Sequence, residues 1–318
     1  MKTRLIHLVI YSAVFMLCGA PSISFDAKFP AQKPLPEHIK TIAIIDRSAR
    51  ESKLANIIEG GITGEGIGQD KEASRRLLDG ITAQLTNSGR YSIIRTNEEM
   101  VIKQGPREFS APLTVAEIKG YCIKYKADAV LSLEYFDTDH IADRMVAHIG
   151  VRIYDGVKNE IIEEFTFTNS INIARRNDDI INLVTNFTSR EVIMNLSYDS
   201  GIMYGQRISP YWLRVVRKYY KRSKGNNDFA YGARMMEVND WDPAIQAFET
   251  CIGDKNRKTL GRASHNLAVI HEILGDYEKA HDYAQQAWGK YRNKSSREYA
   301  HLLSLRIAEI QRLRDQGE

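Results

Sequence analysis

The sequence has few cysteines and no apolar run long enough to cross a membrane comfortably. It contains three cysteines in 318 residues, and Cys18, Cys122 and Cys251 are too scattered for a disulfide framework or a zinc-binding spacing. The longest apolar run, at residues 5–17, has 13 residues, whereas a membrane-spanning helix needs about 20. These shortages exclude a disulfide-stapled scaffold and a helical protein with several membrane spans.

Motifs for catalysis and cofactor binding are also missing. The glycine-rich stretch at residues 60–68 is not followed by Gly-Lys-Ser/Thr and lacks the dinucleotide-binding spacing. Glu65 and Asp70 would place negative charge where a phosphate would bind. His265 and His271 are six residues apart, so they do not share one helix face for zinc. We therefore predict a non-enzymatic protein with no cofactor and no metal site.

Length, composition and charge favour two globular domains. A chain of 318 residues with 43% hydrophobic and 26% charged residues is ordinary for a two-domain globular protein. Residues 205–318 carry 20 Lys and Arg against 14 Asp and Glu, a net charge of +6. The remaining residues carry a net charge of −2, so the C-terminal part is the basic one.

The N-terminus predicts export. Lys2 and Arg4 precede the apolar run, and Cys18 follows it directly, which is the arrangement of a bacterial lipoprotein signal. Leu17 stands where that signal normally has a small residue. Three outcomes therefore stay open: lipidation of Cys18, secretion with cleavage near residues 20–24, and an uncleaved anchor. We expect an exported protein of the periplasm or outer membrane, with a lipid anchor as the leading expectation.

The N-terminal two thirds of the chain predict an α/β domain. Residues 39–46 form a short apolar run typical of a buried strand, and apolar residues recur at every fourth position in residues 71–88, which predicts a helix. Apolar and polar residues alternate in segments 144–154 and 161–168, which lie on either side of a turn. This pattern predicts a β-hairpin. The expected divisions are a signal at 1–24, a proline-containing tether at 25–38, an α/β domain at 39–204 and a helical domain at 205–318.

One pattern occurs twice between residues 228 and 287, with an offset of 36 residues. A small residue lies ahead of a turn, an aromatic residue opens the second helix, and an alanine follows one turn later. This spacing predicts two helical hairpins and resembles the tetratricopeptide repeat, which implies a module that binds proteins. The matched pairs are Gly232 and Ala268, Trp241 and Tyr277, and Ala244 and Ala280.

Two further resemblances concern most of the chain. Segments 41–46, 85–95 and 126–131 resemble the small domain of curli-secretion and penicillin-binding-protein-activator lipoproteins, which implies an envelope scaffold. Segments 207–212 and 240–244 resemble a Bacteroidota family of cell-envelope proteins, commonly lipoproteins, with C-terminal tetratricopeptide repeats. The predicted fold class is α+β: an N-terminal α/β sandwich-type domain followed by an all-α, tetratricopeptide-like domain of helical hairpins.

The repeat alignment predicts a partner-binding groove on the inner side of the hairpins. Phe229 stands where carboxylate-clamping repeats have a lysine, so an apolar or mixed peptide is expected rather than a free C-terminal carboxylate. The groove therefore predicts a protein partner. Its expected residues are Phe229, Met236, Glu237, Arg262, His265, Val269 and Glu272.

Residues 210–224 predict a basic helix in which aromatic residues interleave with cations. On a helix, five of the cations would share one broad face. The favoured interpretation is an amphipathic helix whose aromatics pack inward. The alternative is a face that binds an anionic envelope polymer or lipid, and nucleic acid is not expected for an exported protein. The basic face comprises Arg214, Arg217, Lys218, Lys221 and Arg222.

Two functional hypotheses result from these patterns. The leading one is an exported, non-enzymatic scaffold or adaptor that binds a protein partner through its helical repeats, with a membrane tether through lipid. The alternative is binding of an anionic polymer or lipid by the basic helix. Salt would weaken the second kind of binding much more than the first.

Overall fold

The structure is a computed structural model that describes residues 21–48, 69–99, 107–141, 144–172 and 189–318. The export signal with Cys18 and the glycine-rich stretch at 60–68 lie outside the described residues. Contacts divide the chain into two compact units. One unit is Phe29–Tyr211, and the other combines the residues up to Lys28 with Trp212–Glu318.

Seven strands and eight helices occur in the described ranges. In chain order they are β1 (Ser22–Phe29), β2 (Thr41–Asp46), α1 (Gln69–Asn87), β3 (Ser92–Glu99), α2 (Val115–Tyr125), β4 (Ala129–Ile141), β5 (Arg144–Asp155), β6 (Glu160–Asn172), α3 (Ser189–Ile208), β7 (Tyr211–Lys218), α4 (Asn227–Glu237), α5 (Trp241–Cys251), α6 (Arg257–Ile273), α7 (Tyr277–Gly289) and α8 (Lys294–Asp315). None of these helices is both long enough and apolar enough to cross a membrane. The predicted fold class, α+β with a helical-hairpin domain, is confirmed.

The unit Phe29–Tyr211 is built on a five-stranded mixed sheet with strand order β3-β2-β4-β5-β6. Strand β2 runs parallel to both β3 and β4, and places Ile42 opposite Ile93 and Ala129. Strands β4, β5 and β6 are antiparallel neighbours. Because β2 is an interior strand and both its faces are covered, its sequence is a continuous apolar run rather than an alternating one.

Helices cover both faces of this sheet. Ile42 and Ile44 belong to the larger core, which also contains the fully buried α1 residues Leu77 and Ile81. Ile45 points to the opposite face and packs in a smaller cluster with residues of α2 and β5. The predicted helix with an apolar residue at every fourth position is therefore confirmed, and its apolar face lies against the sheet.

Helices α1 and α3 cross at glycines, in backbone contact. A Cβ atom on Gly80 would lie 2.1 Å from the carbonyl oxygen of Tyr198, and one on Gly201 would lie 2.0 Å from that of Leu77. These distances are far below van der Waals contact, so only glycine allows the two helices to approach this closely.

Two predicted segments have a different structure. The predicted tether at 25–38 begins inside strand β1, and the predicted basic helix at 210–224 contains strand β7 instead. In the second half of β7 burial alternates: Val215 is buried, whereas Arg214 and Val216 on either side are exposed. The segment therefore follows the period of two that a strand requires, and its β-branched and aromatic residues suit that state.

In the other unit, α4 with α5 and α6 with α7 form two helical hairpins, and α8 follows them. At the first hairpin a Cβ atom on Gly232 would meet Ala247 and Phe248 at 3.1 Å. Ala244, Ala268 and Ala280, the other predicted small residues, are fully buried. The two predicted hairpins are thus present, with small residues where the helices approach closely.

The glycine crossing gives a stability prediction. Gly80→Ala should lower the free energy of unfolding by about 1–3 kcal/mol, because the new Cβ forces α1 and α3 apart. Gly120→Ala is the matched control, since Gly120 lies within α2 with no atom close to a new Cβ. That change should raise stability by about 0.5–1 kcal/mol through helix propensity. Denaturant unfolding of the full chain measures both, and equal effects would contradict the close crossing.

Candidate functional site

Strands β1 and β7 form a separate two-stranded sheet in the helical unit. The amide of Tyr219 donates to the carbonyl of Pro21 at 2.9 Å, and Arg214 Nε donates to Asp26 Oδ1 at 2.7 Å. These pairs advance in opposite directions along the two segments, so the strands are antiparallel. We call residues 21–28 with 212–219 the ribbon.

The chain leaving the ribbon lies along helix α6, where one side chain binds its backbone. Asn266 accepts a hydrogen bond from the amide of Tyr220 at 2.8 Å, and its Nδ2 donates to the Tyr220 carbonyl at 2.8 Å. The side chain of Tyr219 is buried in the helical core. A fully buried asparagine thus satisfies both polar backbone groups of one residue in an extended chain.

His265 fixes the backbone of Lys218, two residues before Tyr220. Its Nε2 lies 3.0 Å from the carbonyl oxygen of Lys218, and its Nδ1 lies 2.9 Å from Ser296 Oγ. Because a carbonyl only accepts, Nε2 carries the proton, and Nδ1 accepts from the serine hydroxyl. Burial lowers the pKa of His265, so the neutral ring is the form that this site holds.

A buried ion pair joins the ribbon to α6 and α8. Arg217 donates to both carboxylate oxygens of Glu272 at 2.7 Å, and the hydroxyl of Tyr299 donates to the same carboxylate at 2.6 Å. Burial and the neighbouring Glu272 charge raise the pKa of Tyr299 well above its ordinary value, which keeps its hydroxyl protonated as a donor. Three side chains from three elements are therefore mutually satisfied.

The rest of the segment makes two further contacts in this unit, one through a side chain and one through its backbone. Lys221 pairs with Glu237 at 2.7 Å on the surface, and Arg262 donates to the carbonyl of Arg222 at 2.7 Å. The polar residues of the predicted groove thus contact the predicted basic segment: Glu237 meets Lys221, Glu272 meets Arg217, His265 meets Lys218, and Arg262 meets Arg222.

The apolar residues of the predicted groove have a different place. Phe229, Met236 and Val269 are fully buried in the helical core, so they support the hairpins instead of lining an accessible surface. The cations of the predicted basic face do not share one face, because they lie on a strand and the turn that follows it. The structure therefore brings the two predicted sites together as one intramolecular contact.

Several residues of this contact were not predicted from the sequence. Asn266, Ser296 and Tyr299 belong to no motif, and a polar residue in the middle of an apolar helix was the sole signal for Asn266. Arg306 is buried and donates to the carbonyl of Lys28 at 2.6 Å and to Glu309 at 3.0 Å. Arg306 of α8 therefore holds the end of β1 by its backbone.

A second buried polar cluster lies in the unit Phe29–Tyr211. Glu134 accepts from Arg47 at 3.1 Å and from Ser110 at 2.7 Å, and Arg152 lies 3.5 Å away. The same arginines donate to the carbonyls of Ala111 and Ser110. These contacts hold the segment that precedes α2 against the sheet. We therefore assign the cluster a structural role.

The described ranges contain no group of three or more His, Cys, Asp or Glu residues arranged to hold a metal ion. Cys122 and Cys251 are free thiols. Burial, and then the nearby charges of Asp228 and Asp254, raise the pKa of Cys251 to about 11, so its reactive thiolate form is scarce at neutral pH.

Residues 39–220 match the family described as "Domain of unknown function (DUF8603)", which spans more than half of the chain. The chain belongs to this family. Residues 230–312, which cover the helical hairpins, match a second family, "Domain of unknown function (DUF6340)". The DUF8603 match includes the whole five-stranded sheet and extends through β7. No curated protein sequence matches the chain.

Solved structures with a related arrangement come from several bacteria. A PelC dodecamer from Paraburkholderia phytofirmans is 12% identical with a TM-score of 0.28, covering 59% of this chain and 99% of that one. Lipoprotein GNA1162 from Neisseria meningitidis is 10% identical with a TM-score of 0.23, covering 52% and 98%. These likenesses are too weak to support a functional assignment.

The buried ion pair gives a prediction with an internal control. Glu272→Gln should lower the free energy of unfolding by about 3 kcal/mol, because the Arg217 charge then stays buried without its counter-charge. Glu237→Gln removes the acid that pairs with Lys221 of the same segment, and because that pair is solvent-exposed its loss should have little effect. Denaturant unfolding of both variants tests this. Equal effects would show that Arg217 is solvated.

The lowered pKa of His265 gives a pH prediction. The folded state binds the proton less readily than the unfolded chain, whose histidine pKa is about 6.5. The protonation of this residue should therefore add no pH dependence to stability well above pH 6.5, and stability should fall as the pH drops below that value. His265→Gln should make the decline between about pH 6.5 and 5 shallower. Unfolding of both proteins across this range measures the slopes, and identical slopes would contradict the prediction.

Proposed function

We propose that this protein is a non-enzymatic adaptor of the cell envelope, held at a membrane by its N-terminus, and that its helical-hairpin unit binds a protein partner. The tether rests on Lys2, Arg4, the apolar run at 5–17 and Cys18. The resemblance to envelope lipoproteins with tetratricopeptide repeats supports the same location. The partner-binding role rests on the surfaces of the helical unit.

The inner side of the hairpins is already occupied by the chain itself. A partner peptide would have to displace the Arg217–Glu272 ion pair, the two Asn266 hydrogen bonds and the buried Tyr219 ring. A covalently attached segment competes at an effective concentration on the order of millimolar. We therefore place the partner on another surface of this unit.

The open face of α8 is the observation that carries this proposal. Ser304 follows Gly232 and Ala268 at the same 36-residue interval. Helix α8 therefore corresponds to the first helix of a third hairpin. In the first hairpin the equivalent position contacts the second helix, at Ala247 and Phe248. In α8 it is exposed, and Leu302 and Leu305, which lie one helical turn apart and share a side of the helix, are 39% and 55% exposed.

This face fits an amphipathic helix of a partner protein. A partner helix laid against Leu302 and Leu305 would continue the helix-on-helix packing that the two preceding hairpins show. Burying the exposed half of each leucine side chain supplies about 1 kcal/mol, and helix-in-groove recognition commonly uses such spaced apolar anchors.

Site-specific photo-cross-linking in the producing cells tests the proposal. A photoreactive residue at Leu305 should capture a defined protein, whereas one at Gln246, exposed on the outer surface of α5, should not. The variant with Leu302→Asp and Leu305→Asp should lose that protein on co-purification while keeping its thermal unfolding. Cross-links of equal yield from both positions, or a partner that survives the double change, would overturn the proposed surface.

A further inference from the structure

The ribbon presents an outward face that combines apolar and basic side chains. Trp212 and Val216 are 59% and 56% exposed. Because alternate residues of a strand share a face, Arg214 and Lys218 lie on this same side. On the opposite face Val215 is buried and Ile23 packs against the helical core, and Leu213 near its end is 41% exposed. The outward face is therefore the more accessible side of the ribbon.

Strand β1 adds little charge to this face. Its outward positions are Ser22, Ser24, Asp26 and Lys28. Arg214 pairs with Asp26, and Lys28 pairs with Glu318. The Lys28 ammonium also lies 6.0 Å from the Trp212 ring centroid. Three cations thus face two carboxylates. No ion pair joins Lys218 to another described residue.

The chain length places this face close to the proposed tether. The apolar run ends at residue 17, and β1 begins at Ser22. Fully extended, the chain from Cys18 to Ser22 spans at most about 14 Å, because each residue extends about 3.3–3.6 Å. A chain anchored at or before Cys18 therefore cannot move the start of the ribbon far from the bilayer surface.

We propose that the outward face of the ribbon lies on an anionic membrane surface. Trp212 and Val216 enter the headgroup region, where an indole can bury its ring and keep its N–H hydrated. Arg214, Lys218 and Lys28 lie against lipid phosphates, which attract cations near a membrane. This inference rests on the proposed N-terminal tether, and it adds a second, non-covalent membrane contact to that tether.

Tryptophan fluorescence provides the test, since the chain has three tryptophans, Trp212, Trp241 and Trp288. The variant with Trp241→Tyr and Trp288→Phe reports on the ribbon alone. The variant with Trp212→Phe and Trp241→Tyr reports on Trp288, which is exposed on α7 and serves as the control. Both full-length proteins are reconstituted with phosphatidylglycerol vesicles that carry brominated acyl chains, and bound protein is separated by flotation.

We expect bromolipid to quench Trp212 at least twofold more strongly than Trp288, with a blue-shifted Trp212 emission. Lys218→Glu with Arg214→Gln should remove most of this difference, whereas Lys290→Glu, an exposed change on another surface, should leave it intact. A circular dichroism spectrum like that of the parent protein shows that the variants are folded.

The outcomes separate the two proposals. If the protein floats with the vesicles but Trp212 is not quenched more than Trp288, the tether stands and the ribbon contact is overturned. If the protein does not float, both are overturned. If Trp212 is shielded from aqueous iodide but not reached by bromolipid, a protein, such as a second copy of this chain, covers the face, and the membrane contact is again overturned.

Discussion

The ion pair between Arg217 and Glu272 is the contact on which the arrangement of the helical unit depends. Removing both charges from water is unfavourable, and the pair is tolerated because both carboxylate oxygens and the Tyr299 hydroxyl complete the hydrogen bonding. In a strand, a shift of one residue would turn Arg217 to the opposite face. The pair therefore sets the register in which Tyr219 is buried, Lys218 meets His265, and Tyr220 meets Asn266.

Local patterns were sufficient to predict the helical hairpins and helix α1. Within each hairpin, the apolar period, the small residue (Gly232 or Ala268) and the turn lie within a few helical turns of one another. A short stretch of sequence therefore contains the whole signal for each hairpin. The state of residues 210–224 is not local. Cations at intervals of three and four fit a helix, yet β7 is a strand because it pairs with β1. Arg214 meets Asp26 across 188 residues of sequence, and no window of neighbouring residues contains that information.

Both halves of the candidate site were predicted, but their mutual contact was not. The groove contained Glu237 and Glu272, and the basic segment contained Lys221 and Arg217, so complementary charge was visible in the sequence. What the sequence could not supply was the position of one set relative to the other. Asn266 and Tyr299 were missed because their role is to satisfy a backbone or a carboxylate that only the folded chain brings to them.

The pairing of β1 with β7 has a consequence for the order in which the chain acquires its structure. The carbonyl of Lys28 accepts a hydrogen bond from Arg306, 278 residues further along the chain. A polypeptide that emerges N-terminus first, from a ribosome or an export channel, exposes residues 21–28 long before their partners exist. The hairpins and the mixed sheet can form from nearer neighbours in the meantime. The N-terminal strand is then added last, and the two ends of the sequence are joined only after nearly the whole chain has emerged.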